Sequence, residues 1–366
     1  MPAPSLILGC TGSLGVALTI ETLRPTSTVA PQRPARSIVA MVRDEDAARA
    51  RLARFFPVLA QPNSGLLRAI VGSALGAEDI ARAASQVDHA RDQGGPIIIN
   101  AVRVAADQAQ HADRIAANIL QAARRLAQSI SLPVTLVHFT PSWALAAPTS
   151  PEVNGRPARL KEAADLSSAS PQARRAAAEE KAIAAMVRET KGAVRAVIVR
   201  APPLFGPGVR SPGCDRIFRS ALRGEDIAFV GDLDRPVQWA YTPDLARAVL
   251  DLLELRVKLS PIETVHFSGH TFNTQREFIK KVCDLAGKSL LNVTSTPWLL
   301  ARAAGIFGSG LGPLAGERHV WSSPVLLDGS RLRSLVPSLA LTDIEIALDE
   351  TLHAFRSEPK PAEARA

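Results

Sequence analysis

A chain of 366 residues with 46% hydrophobic and 21% charged residues has ordinary globular composition and ample length for one large domain or two smaller ones, which excludes a disordered tail protein and a fibrous repeat. Its 43 lysines and arginines against 35 acidic residues leave a net charge of +8, a balance suited to anionic ligands. Only 4% of residues are aromatic and there is one tyrosine, Tyr241, so a stacking platform for single-stranded nucleic acid is not expected.

Cys10, Cys214 and Cys283 are odd in number, far apart and without metal-ligand spacing. They read as reduced thiols in an intracellular protein. No apolar run reaches transmembrane length, and the first residues lead into a strand-like segment without a basic region and cleavage site. The expectation is a cytoplasmic protein with no membrane span. The stretch 298–315 is the best apolar candidate, but Arg302 and four glycines interrupt it, which suits a helix and turn covering a substrate pocket.

In chain order, the apolar run 5–9 ends in glycine and precedes an amphipathic stretch 13–23, predicting strand, turn and helix. The run 37–42 precedes the charged helical stretch 43–54, and 67–71 precedes 78–85. Two further copies follow, 96–100 leading to a long helical region 103–128, and 133–139 leading to a helix at 171–189. A sixth strand covers 193–200. Short apolar runs without polar alternation, each followed by a helix, predict a parallel sheet buried on both faces, the doubly wound α/β architecture.

The order changes after Arg200, where prolines and glycines crowd residues 202–213. A helix at 243–255 and a strand at 264–268 are expected to return to the sheet. Residues 1–205 with about 236–270 would form a nucleotide-binding domain, and 206–235 with about 271–356 a smaller C-terminal substrate lobe. Residues 357–366 would be a flexible tail. The segments 26–35 and 148–170 lengthen two connections, and long polar loops of this kind are often lids.

Gly9, Gly12 and Gly15 recur every third residue where the first strand turns into the first helix, in Gly9-Cys10-Thr11-Gly12-Ser13-Leu14-Gly15. Gly9 permits the turn, Gly12 lets backbone approach a pyrophosphate and Gly15 lets the helix pack close to the sheet. The helix N-terminus offers free amides to the phosphates. After the second strand, Arg43 can clamp a ribose 2′-phosphate and tilts the cofactor choice to NADP (NADPH), while the adjacent Asp44 leaves NAD open.

These residues resemble the short-chain dehydrogenase/reductase superfamily in its extended branch, related to nucleotide-sugar epimerases, dehydratases and 3β-hydroxysteroid-type dehydrogenases. The resemblance runs from about residue 5 to 356. Besides the glycine turn it rests on Asn100-Ala101, Asn118, the run 137–142 ending in Ser142, the run 200–208 containing Pro202, and the run 239–246. It implies a Rossmann-type dinucleotide site built from Gly9, Thr11, Gly12, Ser13, Leu14, Gly15, Arg43, Ser73, Asn100, Ala101, Asn118, Lys181 and Pro202. Ser73 stands where many relatives carry an aspartate.

The resemblance also implies a catalytic serine, Ser142, and a lysine, Lys181, with a tyrosine four residues before the lysine. Ala177 occupies that position, and residues 173–180 contain no tyrosine. Tyr241 is expected to pack beneath the substrate loop. His266 and His270 fall on a strand about 13 Å apart, unsuited to one metal. His138 is expected to be a satisfied core histidine, Glu179 and Glu180 solvated partners of Arg174 and Arg175, and Cys10 a small filler.

Two functions follow from this mixture. One is an atypical NADP-dependent oxidoreductase acting on a small or medium apolar substrate without the tyrosine acid/base. The other is a non-redox isomerase, cyclase or lyase, or a scaffold subunit holding NADP(H) structurally. The helices 103–128 and 171–189 correspond to the pair that relatives use to form homodimers.

Overall fold

The computed structural model describes residues 5–24, 38–61, 65–87, 94–104, 110–148, 152–153, 156–300, 318–321 and 325–357. The expected segment 26–35, most of the apolar stretch 298–315 and nearly all of the tail 357–366 lie outside the described residues.

The chain begins with the expected alternation: β1 (Ser5–Leu8), α1 (Ser13–Leu23), β2 (Ile38–Val42), α2 (Glu45–Ala53), β3 (Leu67–Val71), α3 (Ala77–Ser85) and β4 (Ile97–Asn100). It continues through α4 (Ala112–Ser129), β5 (Val134–Pro141), α5 (Pro171–Glu189) and β6 (Val194–Ala201). The helix expected from residue 103 starts at Ala112. Arg103 and Val104 are not helical, and 105–109 lie outside the described residues.

These strands and β9 (Ile262–His266) form one seven-stranded sheet in the order β9-β6-β5-β4-β1-β2-β3. Every neighbouring pair is parallel. Strand order reverses between β1 and β4, which opens a crevice at the carboxyl ends of those strands, where doubly wound folds bind their ligands. The strands read as continuous apolar runs because both faces are covered. Ile7, Ile97, Ile99, Val137 and Val199 pack with α1 and with α7 (Thr242–Glu254), and Leu6, Leu8, Ile98, Leu136 and Ile198 pack against α3, α4 and α5. Burying each such side chain contributes about 1.5–3 kcal/mol.

A second hydrophobic core gathers α6 (Pro212–Arg223), β7 (Ile227–Val230), β8 (Val237–Tyr241), α8 (Gln275–Leu285) and α9 (Ile344–Ser357). Local chemistry starts its helices: the Ser211 and Thr274 side chains accept hydrogen bonds from Cys214 N–H and Glu277 N–H, each capping a helix N-terminus. Aromatic rings dominate it, with Trp239 stacked on Phe278 at 4.4 Å between centroids and Phe218 on Phe355 at 5.3 Å.

β8 departs from the expected division of the chain. It pairs with Leu204–Phe205 and His270–Phe272 rather than with the large sheet, and Val237, Trp239 and Tyr241 point into the second core. Conversely, Leu332 and Val336, expected in the smaller lobe, pack with the main sheet's core. Alternation along β8 explains the first case, since Ala240 alone of its residues turns toward the first core.

Candidate active site

The glycine turn is set by contacts that no side chain would permit. Gly9 has φ +79°, and a Cβ there would lie 2.6 Å from the Ala101 carbonyl oxygen. A Cβ on Gly15 would lie 1.9 Å from the Gly9 carbonyl oxygen, so α1 can sit this close to β1 only with glycine at that position. Gly12 is the N-cap of α1 and supplies no side-chain cap, which leaves the helix's first amides for an anion. Cys10 is buried in the turn, and burial pushes its thiol up to about 12, which makes it a filler rather than a nucleophile.

Neighbouring segments hold the turn in place. The Arg51 guanidinium on α2 donates to the Thr11 carbonyl at 2.7 Å and to the Gly208 carbonyl at 3.3 Å. Ser13 Oγ accepts from Arg210 N–H at 3.0 Å, and Arg103 donates to the Arg210 carbonyl at 2.9 Å. Nothing in the sequence singled out Arg51 or Arg210, because their partners are backbone atoms distant in the chain.

Other expected cofactor residues surround this turn. Ala101 N–H donates to the Leu8 carbonyl, which places Asn100-Ala101 beside Gly9, and Leu14 is buried. Arg43 is exposed at the end of β2. The Asp44 carboxylate accepts from Ala47 N–H at 2.9 Å as the cap of α2. Ser73 binds within its own loop, donating its N–H to Asp79 and accepting from Leu75 N–H. Asn118 on α4 donates to the Ala74 carbonyl at 3.0 Å and ties that loop down. Pro202 is buried just beyond β6.

Across the crevice the structure corrects the reading of α5. Glu180 faces inward and accepts two hydrogen bonds from Arg200 of β6, at 3.1 and 2.7 Å. Arg200 also donates to the Glu162 and Ala164 carbonyls, clamping the loop after β5. Lys181, one residue on and about 100° round the helix, is exposed and is not among the side chains gathered here. Glu180 is therefore not a solvated partner of Arg174 or Arg175, which donate to the Ser168 carbonyl and to Asp113, while Glu179 is largely buried and feels the Arg175 charge.

Glu179 meets His138 of β5, with Oε2 3.5 Å from Nε2. The tautomer follows from the neighbours. Asn100 Oδ1 accepts from Val102 N–H, which turns its amide nitrogen to His138 Nδ1 at 3.4 Å, so Nδ1 accepts and Nε2 carries the proton toward Glu179. Burial depresses the imidazole to about 4 and raises the Glu179 carboxyl to about 7. Sequence spacing offers no sign of this pair, since 41 residues separate its members.

Ser142 closes β5 and is 3% exposed. It lines a cleft with Trp143, Phe229, Val237, Gln275 and Trp321, of which Phe229, Val237 and Trp321 belong to the second core. The cleft encloses about 470 Å³ of open space including its mouth. Its wall is largely apolar, with an Asp232–Arg235 ion pair among the lining residues. Tyr241 is buried behind it and donates to Glu350. Burial, followed by that carboxylate, holds the phenol above its ordinary range and removes it from acid–base work. His266 and His270 sit on separate strands, and among the described residues no group of His, Cys, Asp and Glu could hold a metal.

A parallel sheet reversing at β1/β4 and a glycine turn opening α1 define a doubly wound, Rossmann-type α/β fold. The chain belongs to the NAD dependent epimerase/dehydratase family, whose model matches residues 5–265. Among solved structures it is similar to a dTDP-glucose 4,6-dehydratase from Bacillus anthracis in complex with NAD, at 14% identity and TM-score 0.71, covering 97% of this chain and 96% of that one. A dTDP-glucose 4,6-dehydratase from Streptomyces venezuelae with NAD gives 20% identity and TM-score 0.68 over 96% and 97% of the two chains. The Thermus thermophilus UDP-glucose 4-epimerase complexed with NAD gives 16% and 0.67 over 96% and 99%. No curated protein matches the sequence. Among the described residues no helix is long and apolar enough to cross a membrane.

Proposed function

We propose that this protein is an atypical NADP-dependent oxidoreductase that acts on a small or medium apolar carbonyl compound and dispenses with the tyrosine acid/base of its relatives. The observation that carries this reading is the pairing, in one chain, of an open anion cradle at the glycine turn with a separate apolar cleft lined by Ser142. The cradle residues fit a dinucleotide: a glycine-only turn, uncapped helix amides and Ala101 closing the floor.

The preference for a 2′-phosphate rests on Arg43 and on Asp44, whose carboxylate serves as a helix cap. The bound cofactor supplies hydride. Ser142 would orient the substrate oxygen by donating a hydrogen bond, and the compensating proton would come from water entering at the cleft mouth, because Ala177 offers no phenol. A sugar nucleotide would need many polar partners that this wall does not provide. A cytoplasmic setting is supported by three buried cysteines outside any disulfide, and a homodimer would pair α4 and α5.

A second reading, a non-redox enzyme or scaffold with structural NADP(H), is favoured by Lys181 standing exposed on α5. Thermal-shift titration with NADPH and NADH separates binding from its absence, since a ligand of the folded state raises the melting temperature by mass action. Stabilisation by NADPH over NADH, lost in Arg43→Ala, is expected. NADPH consumption with conjugated aryl carbonyls then supports the oxidoreductase. Tight binding without consumption would favour the scaffold.

A further inference from the structure

The polar equipment of the cleft is sparse, and most of it is already engaged. Gln238 accepts from Leu327 N–H at 2.7 Å and donates to the Leu327 carbonyl at 3.1 Å, so its amide is satisfied inside the protein. Asp232 and Arg235 pair with each other in an exposed position. Gln275 differs. It is the first residue of α8, its backbone N–H donates to the Arg235 carbonyl at 3.0 Å, and its side chain is 3% exposed.

Gln275 Oε1 accepts from the Trp239 indole at 3.1 Å. An indole N–H can only donate, so this bond fixes which end of the amide is oxygen. The remaining end, Nε2, is buried and has no hydrogen-bond partner among the described residues. Trp239 is itself locked between Phe278 and Trp321, which keeps the amide from rotating to find another acceptor. The chain thus holds an unpaired N–H group on a side chain lining an apolar cleft. An unpaired buried donor is costly, and an acceptor arriving with a ligand removes that cost.

We propose that Gln275 is the specificity-determining residue of this cleft, with Nε2 donating to the carbonyl oxygen of a flat, aromatic or conjugated ketone or aldehyde. Flatness follows from the Trp143, Phe229 and Trp321 rings that line the cleft, with Phe229 and Trp321 edge to face at 5.0 Å. A single acceptor follows from a single unpaired amide. A hydrocarbon leaves Nε2 unpaired, and a polyol brings more hydroxyl groups than the wall can satisfy. This inference rests on the reading of the cleft as the substrate site, but its test needs neither turnover nor cofactor.

The probes are acetophenone and α-methylstyrene, which share a shape and differ in carrying a carbonyl oxygen or a methylene at one position. Calorimetric titration of the full chain is expected to show acetophenone bound at least about tenfold more tightly, since only it pairs the buried amide. The double variant Trp239→Phe/Gln275→Met removes both partners of the internal bond and leaves no orphan. It should bind the two probes within about twofold of each other. Where that variant fails to fold, Gln275→Glu keeps the acceptor for Trp239 and is expected to lose the ketone preference.

Equal binding of both probes by the native chain, no binding of the ketone, or a preference that survives in the variants would overturn the assignment. A ketone preference in a chain that binds no NADPH would leave Gln275 assigned and remove the oxidoreductase reading. NADPH binding without ketone preference would do the reverse.

Discussion

The two walls of the crevice are built on different physics. At the glycine turn, the ligand-facing surface is backbone: three glycines, helix amides and the Ala101 carbonyl, held by Arg51 and Arg210 from outside. The other wall, α5, presents side chains, and there the expected phenol position is Ala177, Lys181 is exposed, and the Glu180 and Glu179 carboxylates meet Arg200 and His138. Geometry made of backbone tolerates wide drift in sequence, which is how a fold at 14–20% identity to dehydratase structures keeps its cradle. Chemistry made of side chains can be lost one residue at a time.

Breaking each wall should separate stability from binding. The largest effect is expected from Arg200→Leu, which strands the Glu180 carboxylate in the interior. Removing one partner of a buried pair costs about 3–5 kcal/mol, read as a fall in the urea midpoint with unchanged slope. The double change Glu180→Leu/Arg200→Leu should recover part of that loss. If the single variant matches the native chain, the buried pair does not hold α5 to the sheet.

Gly15→Ala comes next, because its Cβ would meet the Gly9 carbonyl at 1.9 Å and push α1 off the turn. We expect about 1–3 kcal/mol of destabilisation and loss of the NADPH-induced thermal shift. Retention of that shift would mean that the cradle does not depend on the close approach of α1.

A smaller effect, in pH, reports on the other wall. Free histidine titrates near 6.5, and His138 folded near 4, so the unfolded chain binds a proton that the native one refuses, and stability falls as pH drops through that window. Glu179 acts in the opposite sense. Its folded value near 7 lies above its ordinary 4.5, so its contribution is present at low pH and is lost as pH rises toward 7. The two offset between about 4.5 and 6.5. Arg175, Asp113 and Glu180 also face this pair and modulate it. In Glu179→Gln only the imidazole limb remains, and the stability of the variant should fall by about 1.4 kcal/mol per pH unit toward acid across that range. A flat profile in chemical denaturation from pH 4.5 to 6.5 would show that the imidazole is not held neutral.

The smallest effect is assigned to Lys181→Ala. Lys181 is an exposed side chain, and removing it should alter NADPH affinity less than about twofold and stability by no more than about 0.5 kcal/mol. A tenfold loss of NADPH affinity would return Lys181 to the cofactor site.

Much of this molecule is written in local pattern. Short apolar runs mark the interior strands of the main sheet, such as Ser5–Leu8, Ile38–Val42 and Ile97–Asn100, because a strand covered on both faces needs no alternation. The glycine spacing marks the cradle for the same local reason: only glycine accepts φ +79° at Gly9 and the approach at Gly15. The start of α4 and the side of β8 were not legible. A helix boundary depends on what the preceding residues pack against, and the facing of β8 depends on which neighbouring strands it pairs with.

The amino-acid sequence by itself determined the parallel sheet, the glycine turn that follows β1 and the absence of a tyrosine before Lys181. Those features are short-range, set by side-chain periodicity, by φ and by residue identity. Tertiary structure alone decided that Glu180 belongs to Arg200, that His138 and Glu179 form one buried pair, and that Gln275, bonded to Trp239, keeps one amide end unpaired beside the cleft. Each of those facts joins residues 20 to more than 40 positions apart, and only packing determines which of several polar partners a buried group can reach.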